Sequence, residues 1–405
     1  MISILGRWRK NFGLPPIARE ILKEDYRGVL RNDPGADFAI DLMVDWLCRA
    51  QDNSASADGG VARDFSLTKG WATSYPETTG YIIPTMLNVA ELRQREELRD
   101  RARRMLDWCR KIQLDCGGFQ GGKIDASPVV PVTFNTGQIL LGLAAGVAAF
   151  DDYRDTMHKA ASFLRDSQDE DGAWRRHPTP FAQPGDKAYE THVAWGLFEA
   201  DRIAPDEGYG EAGMRQVRWA MGLQQANGWV DKCCLNMPRT PLTHTLGYYL
   251  KGLVEAHRWS NDEAVLNAAL RTAEGLLGTL RPDGFLPGRL AADWTPAASW
   301  TCLTGNVQIA DSWLYLAEVA NTPELGKAAR TVIAKVRRTL RMDAPDSIRG
   351  GVQGSYPING DYGEMEYLNW AAKFSIDANL SELSSGQKPR KPLTSGYRNK
   401  CDLAS

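Results

Sequence analysis

The feature that most constrains this chain is an apolar helix, opened by a threonine, that recurs along it. Thr79-Gly80 opens one such segment, Thr136-Gly137 a second and Thr191-His192 a third; Thr243-His244 and Thr304-Gly305 open two more. These threonines stand 57, 55, 52 and 61 residues apart. Threonine is an acceptable N-cap, so each is expected to mark a helix start. The segments behind them, such as residues 81–90 and 139–149, are apolar on nearly every side. A helix of that kind is buried all round.

Ahead of each inner segment the sequence predicts a more polar helix with one apolar stripe. It ends in a glutamine and a glycine turn at residues 40–51, 105–113, 160–174 and 217–229, and at 273–285 the glutamine is lost while Gly284-Phe285 stays. A sixth outer helix is expected at 325–341, before Gly350-Gly351, with a last inner helix near 366–380. Glycine ends such a helix in a left-handed cap, and the aromatic after it packs back over the turn. Six hairpins of this plan close into a ring, an all-α (α/α)6 toroid with inner and outer helices and only short rim ribbons. Loops entering the inner helices then gather at one rim, where a site belongs.

A chain of 405 residues with 43% hydrophobic side chains can bury a large core. Length alone suggests two or three domains, at ~100–200 residues each. A repeat running through the chain overrides that, because repeats share one continuous core. The expected division is an N-terminal arm over 1–35, a single toroid over 36–380 and a polar tail over 381–405. The arm mixes Ile2, Ile4, Leu5, Trp8, Phe12 and Leu14 with Arg7, Arg9 and Lys10. Such a segment can lie on an anionic membrane surface or dock on its own domain. The Pro/Gly/Ser-rich tail is expected to be disordered.

Net charge is −2, with 48 basic and 50 acidic residues, which gives no electrostatic footprint for nucleic acid. Seven cysteines without a C-x-x-C pair fit free thiols in a reducing compartment, and the N-terminus has no apolar core of signal-peptide length. The expected location is cytoplasmic, with peripheral contact at the inner membrane face through the arm. No stretch of ~18 apolar residues is read as a membrane span. Gly117-Gly118 and Gly121-Gly122 lack the Lys-Ser/Thr of a phosphate-cradling loop, so nucleotide binding is rejected, and no cofactor or metal is expected.

At Phe163-Leu164, Gln168, Gly172 and Trp174 the repeat resembles the QW motif of squalene cyclases and prenyltransferase-type toroids, and the spacing recurs at Trp219, Gln224, Gly228 and Trp229. The resemblance spans roughly residues 40–380 and implies the toroid. Cyclases carry an Asp-x-Asp-Asp acid motif, which is absent here, and protein prenyltransferases hold zinc with an Asp-x-Cys and a histidine; no Asp-x-Cys of this chain has a suitably placed histidine, so the fold carries over and the reaction does not. The runs at 74–85, 117–122 and 134–143 resemble bacterial exopolysaccharide-biosynthesis proteins of the VpsJ type. That resemblance implies cell-envelope polysaccharide assembly and supplies no catalytic residue.

If the inner-helix N-termini line one mouth, the residues beside them share its volume. The candidates for acid–base work are Glu77, Tyr189, Glu190, His192, His244 and Glu366; histidine titrates near neutrality, and helix N-termini favour anions. Candidates for holding substrate are Arg63, Trp71, Tyr75, Asn135, Trp300, Asn306, Tyr356, Glu364, Tyr367, Asn369 and Trp370, since sugars are bound by aromatic faces and planar polar groups. Each also has a structural reading: threonines as caps, histidines satisfied in the core, Glu77 and Glu190 complementing helix dipoles. The leading expectation is a carbohydrate-active enzyme that modifies a uronate-containing or lipid-linked glycan by C5-epimerisation, elimination or hydrolysis. A terpenoid enzyme and a non-catalytic glycan-binding scaffold are the alternatives, and the oligomeric state stays open.

Overall fold

The computed structural model describes residues 13–385. Residues 1–12 of the proposed membrane arm, which hold the basic and apolar residues named above except Leu14, and most of the C-terminal tail lie outside the described residues. Thirteen α-helices and five short strands are present among them. The inner helices are α3 (Pro76–Arg93), α5 (Thr133–Phe150), α7 (Thr191–Ile203), α9 (Thr243–Ser260), α11 (Leu303–Val319) and α13 (Asn369–Ser384). The outer helices are α2 (Ala36–Asp52), α4 (Glu96–Ile112), α6 (Arg154–Ser167), α8 (Tyr209–Met221), α10 (Glu263–Leu277) and α12 (Pro323–Arg337). Each inner helix packs against the next, and α13 returns to α3, so the barrel is closed. The last inner helix pairs with the first outer one, α13 with α2, which joins the two ends of the chain in one hairpin.

The inner helices are buried on almost all sides, as their composition dictates. Helix α5 alone among the described helices has the length and mean hydropathy (1.3) of a membrane span, and its place in the inner ring accounts for both. Glycines let these helices approach closely: a Cβ at Gly142 would stand 2.3 Å from the Gly80 carbonyl oxygen.

The outer-helix glutamine has a clear mechanical role. Gln168 Nε2 donates to the carbonyl of its own turn at Gly172 (2.9 Å) and to Ala212 on the next outer helix (2.9 Å). Gln113 does the same to Gly117 and Thr156, and Gln51 to Gly59 and Arg101. Gln224 reaches Ala268 and Thr272 on α10. The turn glycine completes the joint: Gly172 has φ +96°, and a Cβ there would meet the Arg215 carbonyl oxygen at 2.5 Å. At Gly117, Gly172, Gly228 and Gly350 the turn thus lies against the main chain of the neighbouring outer helix at a distance that only glycine admits.

All five threonines lie in the first turns of inner helices, at one end of the barrel. They are not N-caps, and the residues preceding these helices make no side-chain cap bond. Instead Thr79 Oγ1 accepts from Val61 N and Thr136 Oγ1 from Phe119 N, both at 3.0 Å. The hydroxyl ties the helix start to the backbone just past its repeat's glycine turn. In the fifth repeat Asn306 takes this role, its Oδ1 accepting from Leu286 N at 2.9 Å.

Short strands staple the rim. β1 (Asp64–Ser66) lies between β2 (Gly70–Trp71) and β5 (Glu366–Leu368), antiparallel to both, and β3 (Thr301–Cys302) pairs with β4 (Ser355–Tyr356). Helix α1 (Pro16–Arg27) packs on the last rim loop. Its buried Asp25 accepts from Arg341 Nη2 (2.6 Å) and Ile358 N (2.7 Å), so this part of the arm docks on the ring.

Candidate active site

Turns of a few residues join inner to outer helices at one end, while segments of roughly twenty to thirty residues enter the inner helices at the other. Under these long loops the N-termini of the inner helices enclose a cavity of about 190 Å³. Tyr75 and Glu77 reach it from the start of α3, Phe134 and Asn135 from the first turn of α5, and Tyr189 from the 3-10 turn before α7. His244 and Tyr248 come from successive turns of α9, Trp370 from the start of α13, and Arg63 and Tyr362 from rim loops.

Glu77 sits in the first turn of α3 because Pro76 presets the helical φ at N1. A helix N-terminus favours an ionised carboxylate, and the Tyr75 hydroxyl and Arg63 guanidinium pull the same way. Burial outweighs them and pushes the carboxyl up to about 7. Near neutral pH this group can therefore either give or take a proton. His244 is pushed down to about 4 by burial and is neutral. Its Nδ1 donates to Gln308 Oε1 at 2.7 Å, so Nε2 is the nitrogen left with a free lone pair.

Aromatic faces surround this pair. His244 stands 4.3 Å from Tyr248 and 5.3 Å from Tyr362 between ring centroids, and Phe134 meets Tyr189 and Tyr248 edge-on at 5.4 and 5.1 Å. Trp370 Nε1 donates to the Tyr362 hydroxyl at 2.8 Å, which fixes both rings. Arg63 lies over Trp370, 5.2 Å from the ring centroid, and is bound by Asp64 (2.5 Å) and Glu366 (3.0 Å).

Of the residues singled out from sequence, the cavity brings together Arg63, Tyr75, Glu77, Asn135, Tyr189, His244 and Trp370. Glu366 reaches it only through Arg63. His192 does not line it. The sequence aligned His192 with His244, but a 3-10 turn over Ala188–Glu190 precedes Thr191, whereas Thr243 opens α9 directly. His192 consequently sits deeper in the barrel, fully buried, its Nδ1 bonded to Gln138 Oε1 at 2.6 Å. Glu190 is also buried apart from the cavity, where burial pushes it up to about 8.

Other candidates hold the scaffold together and do not line the cavity. Trp71 packs on Trp46 (5.5 Å) and Phe65 (5.1 Å). Trp300 covers Gly288, where a Cβ would stand 2.3 Å from its ring. Tyr356 donates to the Asp25 carbonyl (2.9 Å), and Asn369 Nδ2 donates to Ala62 O and Thr78 Oγ1. Asn306 is the loop tie described above, Tyr367 is buried in β5 opposite Phe65, and Glu364 is exposed on the last rim loop.

Sequence reasoning missed Tyr248, Tyr362, Thr179, Phe181 and Leu235. Tyr248 had a usable signal, since it lies one helical turn beyond His244. The loop residues had none, because their approach depends on contacts between rim loops, such as Gln183 N to Leu235 O at 2.9 Å.

No family model matches the chain, and no curated protein matches it in sequence. Solved structures resemble it in fold. An unsaturated glucuronyl hydrolase specific for heparin has a TM-score of 0.70 at 15% identity, over 88% of this chain and 99% of its own. The cellobiose 2-epimerase of Bacillus thermoamylovorans gives 0.66 at 10% identity, over 90% and 99%. A sugar epimerase from a ruminal bacterium gives 0.69 at 11% identity, over 84% and 96%. The chain thus shares over nearly its whole described length the (α/α)6 toroid of these carbohydrate enzymes.

Proposed function

We propose that this protein modifies a glycan by acid–base chemistry, with Glu77 and His244 as the proton-transferring pair. The observation that carries the reading is the cavity itself: one carboxyl poised near pH 7 and one neutral histidine, enclosed by aromatic faces at the toroid mouth. Charged and hydroxyl groups alternate there with rings, which suits a sugar better than a prenyl chain. Glycoside hydrolysis ordinarily uses two carboxyl groups ~5–9.5 Å apart, and Glu77 is the one carboxyl lining this cavity among the described residues. That favours epimerisation at a carbon beside a carbonyl, and the epimerase neighbours support it.

The charge balance refines the substrate. Arg63 is already matched by Asp64 and Glu366, and Glu77 adds a third acidic group. A uronate carboxylate would find no unmatched cation in this cluster. We therefore favour a neutral sugar with a free reducing end, whose open-chain carbonyl acidifies the neighbouring C–H. One group removes that proton to give an enediolate, and the other returns a proton to the opposite face. The resemblance to exopolysaccharide-biosynthesis proteins supports a cell-envelope glycan as its source, and the free thiols support a cytoplasmic site of action.

Incubation with neutral reducing disaccharides in D2O tests the reading. Deuterium should enter the inverted carbon, seen by NMR and as a unit mass gain, and Glu77→Gln or His244→Gln should abolish it. Glycosidic cleavage without carbon-bound deuterium would replace epimerisation by hydrolysis. Absence of any turnover across such sugars would favour the scaffold reading.

A further inference from the structure

At the opposite end of the barrel the inner helices enclose a second cavity, of about 230 Å³. Every inner helix lends it a side chain, from Thr85 on α3 and Ala145 on α5, through Trp195, Lys251 and Asp311, to Lys373 on α13. Among the described residues only short turns join helices at this end. We propose that this distal cavity is a binding site for a neutral saccharide, about one ring in size and separate from the mouth.

Its construction is not that of a packed core. Protein interiors leave few voids larger than a water, and buried ion pairs are commonly no more stabilising than apolar side chains of like volume. Yet here otherwise apolar helices carry charge inward around a void. Lys251 Nζ binds Glu255 (2.7 Å) and Asp311 (2.9 Å), and Lys373 Nζ binds Asp377 (2.7 Å). Both ammonium groups flank Trp195, at 5.0 and 5.6 Å from its ring centroid. Lys373 is 1% exposed, so its charge is held in the barrel interior.

The same lining selects the ligand. Each cation that lines it is already held by a carboxylate: Lys251 by Glu255 and Asp311, Arg258 by Glu255, and Lys373 by Asp377. An anionic sugar or a phosphate would find no unmatched cation there. A cation meets Lys251 and Lys373. A neutral polyol meets neither penalty, because its hydroxyls can accept from the ammonium groups and donate to the carboxylates. Pro84, Leu141 and Ala145 supply an apolar wall for the C–H face of a sugar ring. At ~30 Å³ per water the void holds the equivalent of roughly eight waters, the bulk of one sugar ring. None of this depends on the chemistry assigned to the mouth.

The test is titration of the full chain with neutral methyl glycosides, which cannot open their rings, by calorimetry and saturation-transfer NMR. Methyl glucuronide and the methyl glycoside of glucosamine serve as the charged comparisons. Saturable binding of a neutral glycoside is expected, weakened ~10-fold or more by Ala145→Phe, which fills the distal void, and unchanged by Asn135→Trp, which fills the mouth. Should Ala145→Phe fail to fold, Asn88→Leu removes a half-buried amide from the same cavity and is read in the same way. Loss of binding in Asn135→Trp with retention in the distal variants would assign the ligand to the mouth and overturn the proposal. So would tighter binding of either charged glycoside, or no saturable binding of any neutral one.

Discussion

Replacing Glu77 by glutamine should separate stability from activity, with opposite signs at alkaline pH. Burial moves this carboxyl from 4.5 to about 7 in the folded protein, while the unfolded chain leaves it near its ordinary value. As pH rises through that window the unfolded chain releases its proton and the folded chain retains it. Folding stability therefore falls with rising pH: the contribution is full below the unfolded value and gone above the folded one. At ~1.36 kcal/mol per unit, the shift is worth about 3 kcal/mol. Glutamine cannot ionise and can still accept from the Tyr75 hydroxyl. The variant is thus expected to match the native protein at about pH 4 and to exceed it by roughly 3 kcal/mol at about pH 8, while turnover falls ~100-fold or more. Urea unfolding followed by tryptophan emission, at several pH values, reads the first effect as a shift in midpoint at constant slope. A pH-independent difference, or a variant less stable at alkaline pH, would refute the claim that desolvation dominates this carboxyl. Full turnover would refute its role.

Four further outcomes follow from the same geometry. Glu190→Gln should gain stability at alkaline pH for the same reason, its carboxyl being pushed to about 8, yet keep its turnover, which pH-dependent unfolding and an activity assay check together. His244→Gln should lose ~100-fold in turnover, whereas His192→Gln should stay within a few-fold and lose ~1–3 kcal/mol in urea, because it disturbs a buried bond to Gln138. Gln168→Leu removes three hydrogen bonds, to Gly172, Ala212 and Arg215, and should cost ~3 kcal/mol at about 1 kcal/mol each; the exposed Gln225→Leu is the control. Trp174→Ala should cost ~3–5 kcal/mol, measured by the same unfolding, with activity retained in the folded fraction, since Trp174 is buried and bonds Leu164 O at 2.8 Å away from the mouth.

The ring was legible because its two signals are local. An inner helix announces itself by being apolar on every face, and an outer one by its stripe and its Gln-Gly ending. Closure was less accessible, since the pairing of α2 with α13 joins segments more than 300 residues apart. The site was half legible for a related reason. Glu77, Tyr75 and Asn135 lie where a helix start places them, and any register within the first turn brings them to the mouth. His192 needed the register to a single residue. The 3-10 turn before α7 is set partly by Ala188 N donating to Lys232 O, a contact between two rim loops that no local pattern reports. The distal cavity left a trace that was passed over: Lys251-Glu255 and Lys373-Asp377 are spaced i,i+4 within helices buried on all other sides. On an outer helix such pairs are a solvated face; on an inner one they can only point at the axis.

The displaced histidine explains why the barrel holds two cavities. His192 packs on Tyr248 at 4.5 Å, Trp195 at 5.2 Å and Phe374 at 6.1 Å, and Tyr81 meets Phe374 at 5.2 Å. These rings fill the axis between the mouth, which Tyr248 lines, and the distal cavity, which Trp195 lines. The plug must be uncharged to be stable there. Burial holds His192 well below its ordinary value, and the nearby charges of Lys373 and Lys251 lower it further. Protonating it would place a third cation beside two buried ones, so across the physiological range the imidazole stays neutral. Burial, reinforced by the two lysines, therefore keeps neutral the layer that divides the distal cavity from the mouth.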